Sequence, residues 1–284
     1  MKVLVTGVKG QLGYDVVNEL ELRGHVAVGV DVDEMDITDK KAVDEVLSRE
    51  KPDAVIHCAA WTAVDAAEDN QSKVTAVNAE GTAFIASACK KLGCKMMYIS
   101  TDYVYGDYDT APHKPDIDYF EPANVYGLTK LQGESAVKEL LEKYFIVRIS
   151  WVFGKNGNNF VKTMLRLGQT HASLRVVNDQ IGTPTYTFDL ARLLVDMIET
   201  DKYGCYNATN EGGYISWADF AKEIFSRAKM SVEVVPVTTE EYGLSKAYRP
   251  KNSRLDKSKL IENGFTPLPA WQDALERYLK EIGA

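Results

Sequence analysis

The chain has 284 residues, enough for one large domain or two unequal lobes around a sizeable core. Apolar residues make up 45%, charged residues 26%, and the net charge is -8 without a long Lys/Arg run, which argues against nucleic-acid and membrane-surface binding. No apolar run approaches the ~18 residues that span a bilayer, and the start, Met1–Gly7, is too soon interrupted for a secretory signal.

The cysteines do not follow the spacing of a zinc or redox site. They stand at Cys58, Cys89, Cys94 and Cys205. We therefore expect reduced thiols, which are typical of a cytoplasmic protein.

Two periodicities alternate up to Ser150. Short β-rich runs predict strands at Lys2–Thr6, Val26–Asp31, Ala54–His57, Met96–Ser100 and Phe145–Ser150. Longer stretches with helical spacing predict helices at Leu12–Arg23, Lys40–Arg49, Ser72–Leu92 and Val125–Tyr144. Strands that alternate with helices indicate βαβ units, and therefore an α/β fold with a doubly wound, Rossmann-like parallel sheet.

The pattern changes after Ser150. Gly, Asn and Pro indicate loops at Val152–Asn159 and Asn178–Pro184. Helices are predicted at Thr187–Ile198, Ser216–Ala228 (with Ser216 as N-cap) and Trp271–Ile282, and strands at Cys205–Asn207 and Val232–Val237. We predict a dinucleotide-binding domain over residues 1–150, with 185–207 packing back on it, and a smaller C-terminal α+β substrate lobe over 151–184 and 208–284.

A glycine turn follows the first predicted strand and opens the first predicted helix. Gly7 permits a tight turn, Gly10 lets the backbone approach a pyrophosphate, and Gly13 permits close helix–strand packing. The spacing is G-x-x-G-x-x-G and not the simplest G-x-G-x-x-G fingerprint. Its place between strand and helix nevertheless predicts a dinucleotide site.

Asp31 ends the second predicted strand. A carboxylate there accepts hydrogen bonds from ribose hydroxyls and repels a 2′-phosphate. No arginine directly follows Asp31, so the sequence favours NADH over NADPH. The alternative is a solvated aspartate at a strand end or helix cap.

Tyr126 and Lys130 are four residues apart, so they lie on one face of a helix and can enter the same cleft. Reduction of a carbonyl needs a proton donor at the oxygen, and a nearby ammonium favours the phenolate form of a tyrosine. We therefore expect Lys130 to lower the pKa of Tyr126 towards neutrality. Alone, this spacing is usually a packed tyrosine and a solvated lysine, but the glycine turn upstream favours the catalytic interpretation.

Polar and small residues end the two strands in the middle of the chain. Ser100–Asp102 follows one strand, where a hydroxyl could hydrogen-bond a substrate oxygen and stabilise negative charge. Ala59–Thr62 follows the preceding strand, and its small residues let the backbone lie close to a cofactor. Polar capping of a strand end is the alternative for Ser100–Asp102. His57 and Cys58 are interpreted as buried structural residues.

These motifs together resemble the extended short-chain dehydrogenase/reductase superfamily. Within it, the chain is most similar to the dTDP-4-dehydrorhamnose reductase family. The matching segments run through essentially the whole chain: Thr6–Gly13, Ala59–Asp65, Ser100–Gly106, Tyr126–Lys130, Arg148–Gly154, Asp179–Thr185 and Arg249–Leu255.

The resemblance implies reduction of the 4-keto group of dTDP-4-dehydro-L-rhamnose to dTDP-L-rhamnose by NADH or NADPH. It implies that Tyr126 donates the proton, that Lys130 is its partner and a ribose ligand, and that Thr101 binds the substrate carbonyl. The other candidate cofactor contacts are Gly7, Gly10, Gln11, Leu12 and Gly13 at the pyrophosphate turn, Asp31 at the ribose, Asp36 and Ile37 at the adenine, and Ala59, Ala60, Trp61, Thr62 and Ser100 along the cofactor. The other candidate substrate contacts are Asp102, Trp151, Asn159 and Arg254.

Some members of this family form dimers through a magnesium site made of glutamates. Asp15 stands at one of those positions, but Phe188–Asp189 offers no clear glutamate match. We therefore predict no metal. The expected partner is a dTDP-sugar, and the chain is expected to be a monomer or a homodimer.

Two other interpretations stay open. A 4,6-dehydratase of the same superfamily usually carries Asp-Glu after the threonine, whereas Tyr103 follows Asp102 here; a 4-epimerase is harder to separate. A non-catalytic NAD(P)-binding regulatory subunit, like the β subunits of methionine adenosyltransferase, shares the resemblance. Retention of Thr101, Tyr126 and Lys130 argues against it.

Overall fold

The computed structural model describes residues 1–284. Its strands are β1 (Lys2–Thr6), β2 (Val26–Val30), β3 (Ala54–His57), β4 (Lys95–Thr101), β5 (Tyr144–Ile149), β6 (Val152–Phe153), β7 (Ser173–Val177), β8 (Ile181–Gly182), β9 (Thr185–Tyr186), β10 (Gly204–Asn207), β11 (Asn210–Glu211), β12 (Ile215–Ser216), β13 (Glu233–Val237), β14 (Asn252–Ser253) and β15 (Leu268–Ala270). Its α-helices are α1 (Gln11–Leu22), α2 (Lys40–Glu50), α3 (Val64–Ala67), α4 (Gln71–Thr75), α5 (Thr82–Leu92), α6 (Val125–Leu140), α7 (Phe160–Gly168), α8 (Thr187–Ile198), α9 (Trp217–Arg227), α10 (Thr239–Tyr242), α11 (Ser258–Glu262) and α12 (Trp271–Ile282).

A six-stranded parallel sheet forms the centre of the larger lobe, in the order β10-β5-β4-β3-β1-β2. The chain runs outward from β1 to β2 and then returns to β3 on the other side of β1, so the strand order reverses between β1 and β3. This arrangement confirms the predicted doubly wound, Rossmann-like sheet. In such a sheet ligands bind beyond the carboxyl ends of the strands at the reversal.

Helices cover both faces of this sheet because its strands are apolar on both sides. On one face α1 and α8 pack together through residues such as Leu20 and Leu194. On the other face α2, α5 and α6 contribute Leu47, Ile85 and Val137. After α8 the chain adds β10 in parallel beside β5, so this late segment belongs to the main sheet.

The smaller lobe has a core of its own, built mainly from α7, α9 and α12. The parallel pair β7–β13 and the short sheet β12-β8-β14 flank these helices. Phe153, Phe220 and Tyr278 form an aromatic cluster at its centre. No helix in the chain has both the length and the apolarity to cross a bilayer.

The helix predicted over Ser72–Leu92 is present, but it is not a regular α-helix throughout. The structure has α4, then a π-helical turn at Ala76–Gly81, then α5. The wider turn coincides with Asn78, whose side chain accepts a hydrogen bond from Trp61 N at 2.8 Å and donates one to Trp61 O at 3.2 Å. A tertiary contact at the end of β3 therefore accompanies the irregular turn, as is frequent for π-bulges near functional sites.

Two further differences concern element ends and short elements. The helix predicted to reach Tyr144 ends at Leu140, because Leu141 is extended and the chain soon enters β5. The predicted loops Val152–Asn159 and Asn178–Pro184 contain the two-residue strands β6 and β8, while α7 and β7 were not predicted at all. Two-residue strands are too short to show an alternating pattern.

The N-cap predicted at Ser216 is confirmed, and it generates a stability prediction. Ser216 Oγ accepts from Asp219 N at 3.0 Å, and the Asp219 carboxylate accepts from Ser216 N, which makes a reciprocal capping box. Ser216→Ala should lower the free energy of unfolding by roughly 0.5–2 kcal/mol in urea denaturation. Ser226→Ala, at an exposed position of the same helix, is the control and should be neutral or slightly stabilising. Equal effects of both changes would contradict the cap assignment.

Candidate active site

The glycine turn between β1 and α1 packs tightly against its own neighbouring backbone, which only residues without side chains permit. Gly7 has φ +71°, and a Cβ on it would lie 2.8 Å from the backbone of Ala59. A Cβ on Gly13 would lie 2.4 Å from the Gly7 carbonyl oxygen. α1 begins at Gln11 with no side-chain cap, so the amides of its first turn, including Leu12, lack an intrahelical or side-chain acceptor. The turn fits an anionic pyrophosphate.

Asp31 lies directly after β2 and beside this turn. Its carboxylate accepts from Lys9 N at 3.0 Å and from Val32 N at 2.9 Å. Lys9 Nζ pairs with Asp33, and this hydrogen bond is the main cause that raises the pKa of Lys9. The end of β2 beside the glycine turn therefore carries carboxylates together with one exposed ammonium.

The segments on either side of the turn differ in how they are held. Asp36 is exposed and accepts from Thr38 N and Oγ1, whereas Ile37 is buried in the core. After β3, Ala59 N donates to Thr6 Oγ1 at 3.1 Å, and the backbone of Trp61 is held by Asn78. The loop from Ala59 to Thr62 therefore lies along the edge of the glycine turn in a fixed position.

The first turn of α6 carries Tyr126 into the cleft, by which we mean the space beyond the carboxyl ends of β1, β3, β4 and β5. Asn124 caps this helix by accepting from Gly127 N at 2.7 Å, and its amide donates to Tyr248 O. A Cβ on Gly127 would lie 2.3 Å from Tyr103 O, so only glycine permits this approach. The ring of Tyr103 meets that of Tyr126 edge-on at 5.5 Å.

Thr101 and Asp102, at the end of β4, face Tyr126. Thr101 Oγ1 donates to Asp102 Oδ1 at 3.0 Å, and its hydroxyl lies beside that of Tyr126. Asp102 is 2% exposed, and its Oδ2 is buried without a hydrogen-bond partner. A buried carboxylate oxygen without a partner is costly in a folded protein, so this atom is available to accept a hydrogen bond from a ligand. Burial raises the pKa of Asp102 to about 6, and the hydroxyls of Ser253 and Thr101 partly oppose that rise.

Lys130 lies one turn after Tyr126 but deeper. Its Nζ donates to Ile99 O at 2.7 Å and sits 4.0 Å above the ring of Tyr98. The side chain is buried, and burial lowers the pKa of Lys130 to about 7, with nearby Glu134 opposing the change.

The expectation that Lys130 lowers the pKa of Tyr126 is wrong. Burial raises the pKa of Tyr126 to about 12, and the neighbouring Thr101 hydroxyl opposes the rise only in part. The reason is that both groups are desolvated, and desolvation disfavours the phenolate and the ammonium alike. Tyr126 is therefore protonated at neutral pH.

Ser100 does not join the cluster in the cleft. Its Oγ donates to Glu134 at 2.6 Å beneath α6, because successive strand residues point to opposite faces of the sheet. His57 is buried between Thr6 and Thr82, and burial lowers its pKa to about 3. Burial raises the pKa of Cys58 to about 12, so its thiol stays protonated.

A cavity of about 220 Å³ leads from Tyr103 into the smaller lobe. Two arginines and several aromatic or apolar side chains line it, and the sequence had not singled out either arginine. The lining residues that matter most are Tyr103, Phe160, Arg175, Trp217 and Arg249. Arg249 is held by two hydrogen bonds to Asp65, at 3.2 and 2.8 Å, which leaves it beside the cavity. Arg175 and Arg249 are far apart in the sequence and come to one cavity only in the folded chain, so the sequence alone did not indicate them.

The three remaining candidates for substrate contacts lie in different surroundings. Trp151 has φ +51° and stacks on Trp217 with ring centroids 3.7 Å apart. Asn159 is buried and caps α7, and its amide donates to Gln11 Oε1, Gly154 O and Tyr278 Oη. Arg254 donates to Asn252 Oδ1 and does not line the cavity.

The residues near Asp15 do not fit a magnesium site. Asp15 accepts from Thr187, and burial raises its pKa to about 6. Asp189 is paired bidentately with Arg277 at 2.8 and 2.7 Å, which supplies the neutralising charge without an ion. No group of three His, Cys, Asp or Glu side chains is arranged to hold a metal.

The reversal in strand order, the glycine turn and Tyr126 with Lys130 on one helix are typical of dinucleotide-binding proteins of the extended short-chain dehydrogenase/reductase type. The family model described as RmlD substrate binding domain matches residues 1–283. The spore coat polysaccharide biosynthesis protein SpsK of Bacillus subtilis (strain 168) is 38% identical over 99% of this chain and 97% of its own length. The dTDP-4-dehydrorhamnose reductase of Aggregatibacter actinomycetemcomitans is 40% identical over 97% of each chain.

A solved structure shows the same similarity. The dTDP-4-dehydrorhamnose reductase from Bacillus anthracis, in complex with NADP, superposes with a TM-score of 0.95 and 44% identity over 99% of each chain. The chain belongs to the dTDP-4-dehydrorhamnose reductase family.

The buried carboxyl of Asp102 generates a prediction about pH. Its pKa is higher in the folded state (about 6) than its ordinary 3.8, so the folded protein binds more protons between these values. The stability that this group contributes is full below pH 3.8 and is lost as the pH rises through 6. The free energy of unfolding of the wild type relative to Asp102→Asn should therefore fall, by on the order of 3 kcal/mol, across that window.

Urea denaturation at a series of pH values measures this difference, and Asn is suitable because it cannot ionise. Asp118→Asn, at an exposed position, is the control and should give a flat difference. A flat difference for Asp102→Asn as well would show that Asp102 is not a desolvated carboxyl.

Proposed function

We propose that this chain catalyses the reduction of the 4-keto group of dTDP-4-dehydro-L-rhamnose to dTDP-L-rhamnose. The observation that carries the proposal is the cluster of half-buried Tyr126 with buried Thr101 and Asp102, in a chain of this family. The cluster joins a protonated acid, a neutral hydroxyl and a carboxylate oxygen that needs a partner. A sugar carbonyl with a neighbouring hydroxyl satisfies all three.

The glycine turn and the N-terminus of α1 support binding of a nicotinamide dinucleotide through Gly10, Gln11 and Leu12. When bound, the nicotinamide cofactor supplies the hydride. Asp31 would accept from the adenosine ribose, and the exposed side of Asp36 with the neighbouring Ile37 would border the adenine. The loop held by Asn78 (Ala59–Thr62) would lie along the cofactor, and buried Lys130 would hold the second ribose.

Tyr126 supplies the proton in this proposal. Its Oη is protonated at neutral pH and donates to the carbonyl oxygen as that oxygen gains negative charge. Thr101 Oγ1 stabilises the same oxygen and fixes the orientation of the phenol. Asp102 Oδ2 accepts from a sugar hydroxyl, which orients the ring for reduction at one carbon.

The cavity beyond Tyr103 supports a nucleotide-linked sugar as the substrate. Its arginines, Arg175 and Arg249, bring positive charge to a chain with a net charge of -8, as a pyrophosphate requires. Phe160 and Trp217 offer aromatic surface for a base. Arg254 and Asn159, the weaker candidates from the sequence, are less suited because neither lines this cavity. We propose that the enzyme works as a monomer or a homodimer without a metal.

We further propose that NADH is the better cofactor and that NADPH is accepted. Asp31 and Asp33 disfavour a 2′-phosphate, whereas exposed Lys9 can move from Asp33 to that phosphate at little cost. The NADP bound in the Bacillus anthracis relative is consistent with the second part of the proposal.

The test is the oxidation of NADH and NADPH in the presence of dTDP-4-dehydro-L-rhamnose generated enzymatically. We expect both to be oxidised, with formation of dTDP-L-rhamnose and a higher kcat/KM for NADH. A higher kcat/KM for NADPH would contradict only the cofactor preference. Cofactor binding without oxidation would contradict the reductase and favour another keto-sugar or a regulatory subunit.

Removal of the acid gives a second prediction. Tyr126→Phe should lower kcat by roughly 10²–10⁴-fold, because the carbonyl oxygen then lacks its proton donor, and should leave the Kd for the cofactor nearly unchanged. Steady-state kinetics and fluorescence titration measure the two quantities. Tyr119→Phe, at an exposed position, is the control and should keep full activity. A fully active Tyr126→Phe enzyme would refute the assignment of the acid.

A further inference from the structure

Trp151 is held in a conformation that few residues adopt. It follows β5 by two positions and has φ +51°, in the left-handed region that favours glycine. The two other non-glycine residues with positive φ are Lys51 and Lys229, and both lie at the C-terminal ends of helices, where this conformation is common. Trp151 has no such reason, so tertiary contacts must hold it there.

Two contacts hold the indole of Trp151. One ring face stacks on Trp217, with centroids 3.7 Å apart and planes 13° from parallel. The edge of the indole lies against Gly182, where a Cβ would be only 2.8 Å from Trp151 Cε2. Trp151 is therefore wedged between an aromatic ring and a position that only glycine can occupy without a shift.

Trp217 is itself rigidly placed. It is the first residue of α9, directly after the N-cap Ser216 and within the capping box that Ser216 and Asp219 form. The preceding strand β12 pairs with β8, where Ile215 is opposite Gly182, so Trp217 follows directly from the small sheet that contains Gly182. Phe160 packs on the Trp217 ring at 4.5 Å.

We propose that Trp217 is a positioning residue for the sugar half of the substrate, because it holds the indole of Trp151 against the sugar. The inference rests on the proposed function together with the expectation from the family resemblance that Trp151 contacts the sugar. Trp217 also borders the cavity that would receive the nucleotide, so its ring connects the two halves of the binding site. Selectivity for the sugar then depends on Trp217, although Trp217 itself need not contact the sugar.

The readout is the ratio of the Kd for dTDP to the Kd for dTDP-L-rhamnose, measured by calorimetry on the full chain. This ratio isolates the contribution of the sugar from that of the nucleotide. Trp217→Leu should lower it about 3- to 10-fold, the size expected for loss of one aromatic pair, whatever it does to dTDP itself. Trp217→Phe keeps an aromatic ring and should retain most of the ratio.

Gly182→Ala approaches the same residue from the other side. Its new Cβ should displace the Trp151 indole, lower the ratio to a similar extent and change the circular dichroism signal of the stacked indoles. The double variant should lose no more than the larger single effect, because both changes act on Trp151. Trp271→Phe, in the core of the smaller lobe, is the control: it should lower the Tm but keep the ratio and the stacked-indole signal.

A Trp217→Leu protein that loses affinity for both ligands by the same factor would overturn the inference, since Trp217 would then serve the nucleotide or the fold only. Additive effects in the double variant would overturn it as well. A wild-type protein that binds neither ligand would refute the proposed function instead, so the two failures are distinguishable.

Discussion

The buried ion pair between Glu134 and Arg148 is the interaction on which the site depends most. Neither side chain is exposed, and two hydrogen bonds of 2.8 and 2.6 Å join them. Glu134 also accepts from Ser100, and Arg148 donates to Tyr105 Oη and Pro115 O. The pair therefore ties α6 to β4, to β5 and to the loop that follows β4. Because the loss of one partner would leave a buried charge unpaired, at a cost of about 3–5 kcal/mol, these elements keep a fixed relation.

This arrangement explains how α6 can serve chemistry and structure at once. Tyr126, Lys130 and Glu134 are spaced by four residues, so one helix face runs from the cleft down to the ion pair. The strand beside it divides its hydroxyls in the same way: Ser100 faces Glu134, and Thr101 faces Tyr126. Lys130, at the middle position, donates to Ile99 O and is one turn from the negative charge of Glu134, which favours the ammonium form. Its pKa nevertheless falls to about 7, because the effect of burial is larger than that of Glu134.

The sequence predicted the features that depend on residues close together in the chain. The alternation of strand and helix periods predicted the sheet, and the glycine turn and the spacing of Tyr126 and Lys130 predicted where its site lies. The π-helical turn at Asn78 was not predictable, because it serves a contact with a loop far along the chain. Arg175 and Arg249 were missed because segments distant in the sequence bring them to the cavity. Helix α7 was missed because it begins directly after a glycine-rich loop. The prediction of a lowered pKa for Tyr126 was wrong because the four-residue spacing indicates which residues are neighbours on a helix but not how deeply they are buried.

The acidic balance of the chain raises the question of how it receives an anionic substrate. In the structure, Arg249 of the smaller lobe lies at the cavity and is bound to Asp65 of the larger lobe. Asp65, which follows β3, accepts hydrogen bonds from Lys246 N and Ala247 N as well as from the guanidinium of Arg249. The carboxylate of Asp65 thus holds in place both the backbone and the guanidinium of a segment that borders the cavity. The net negative surface elsewhere acts only weakly on this cavity, because salt screens charges beyond about 10 Å.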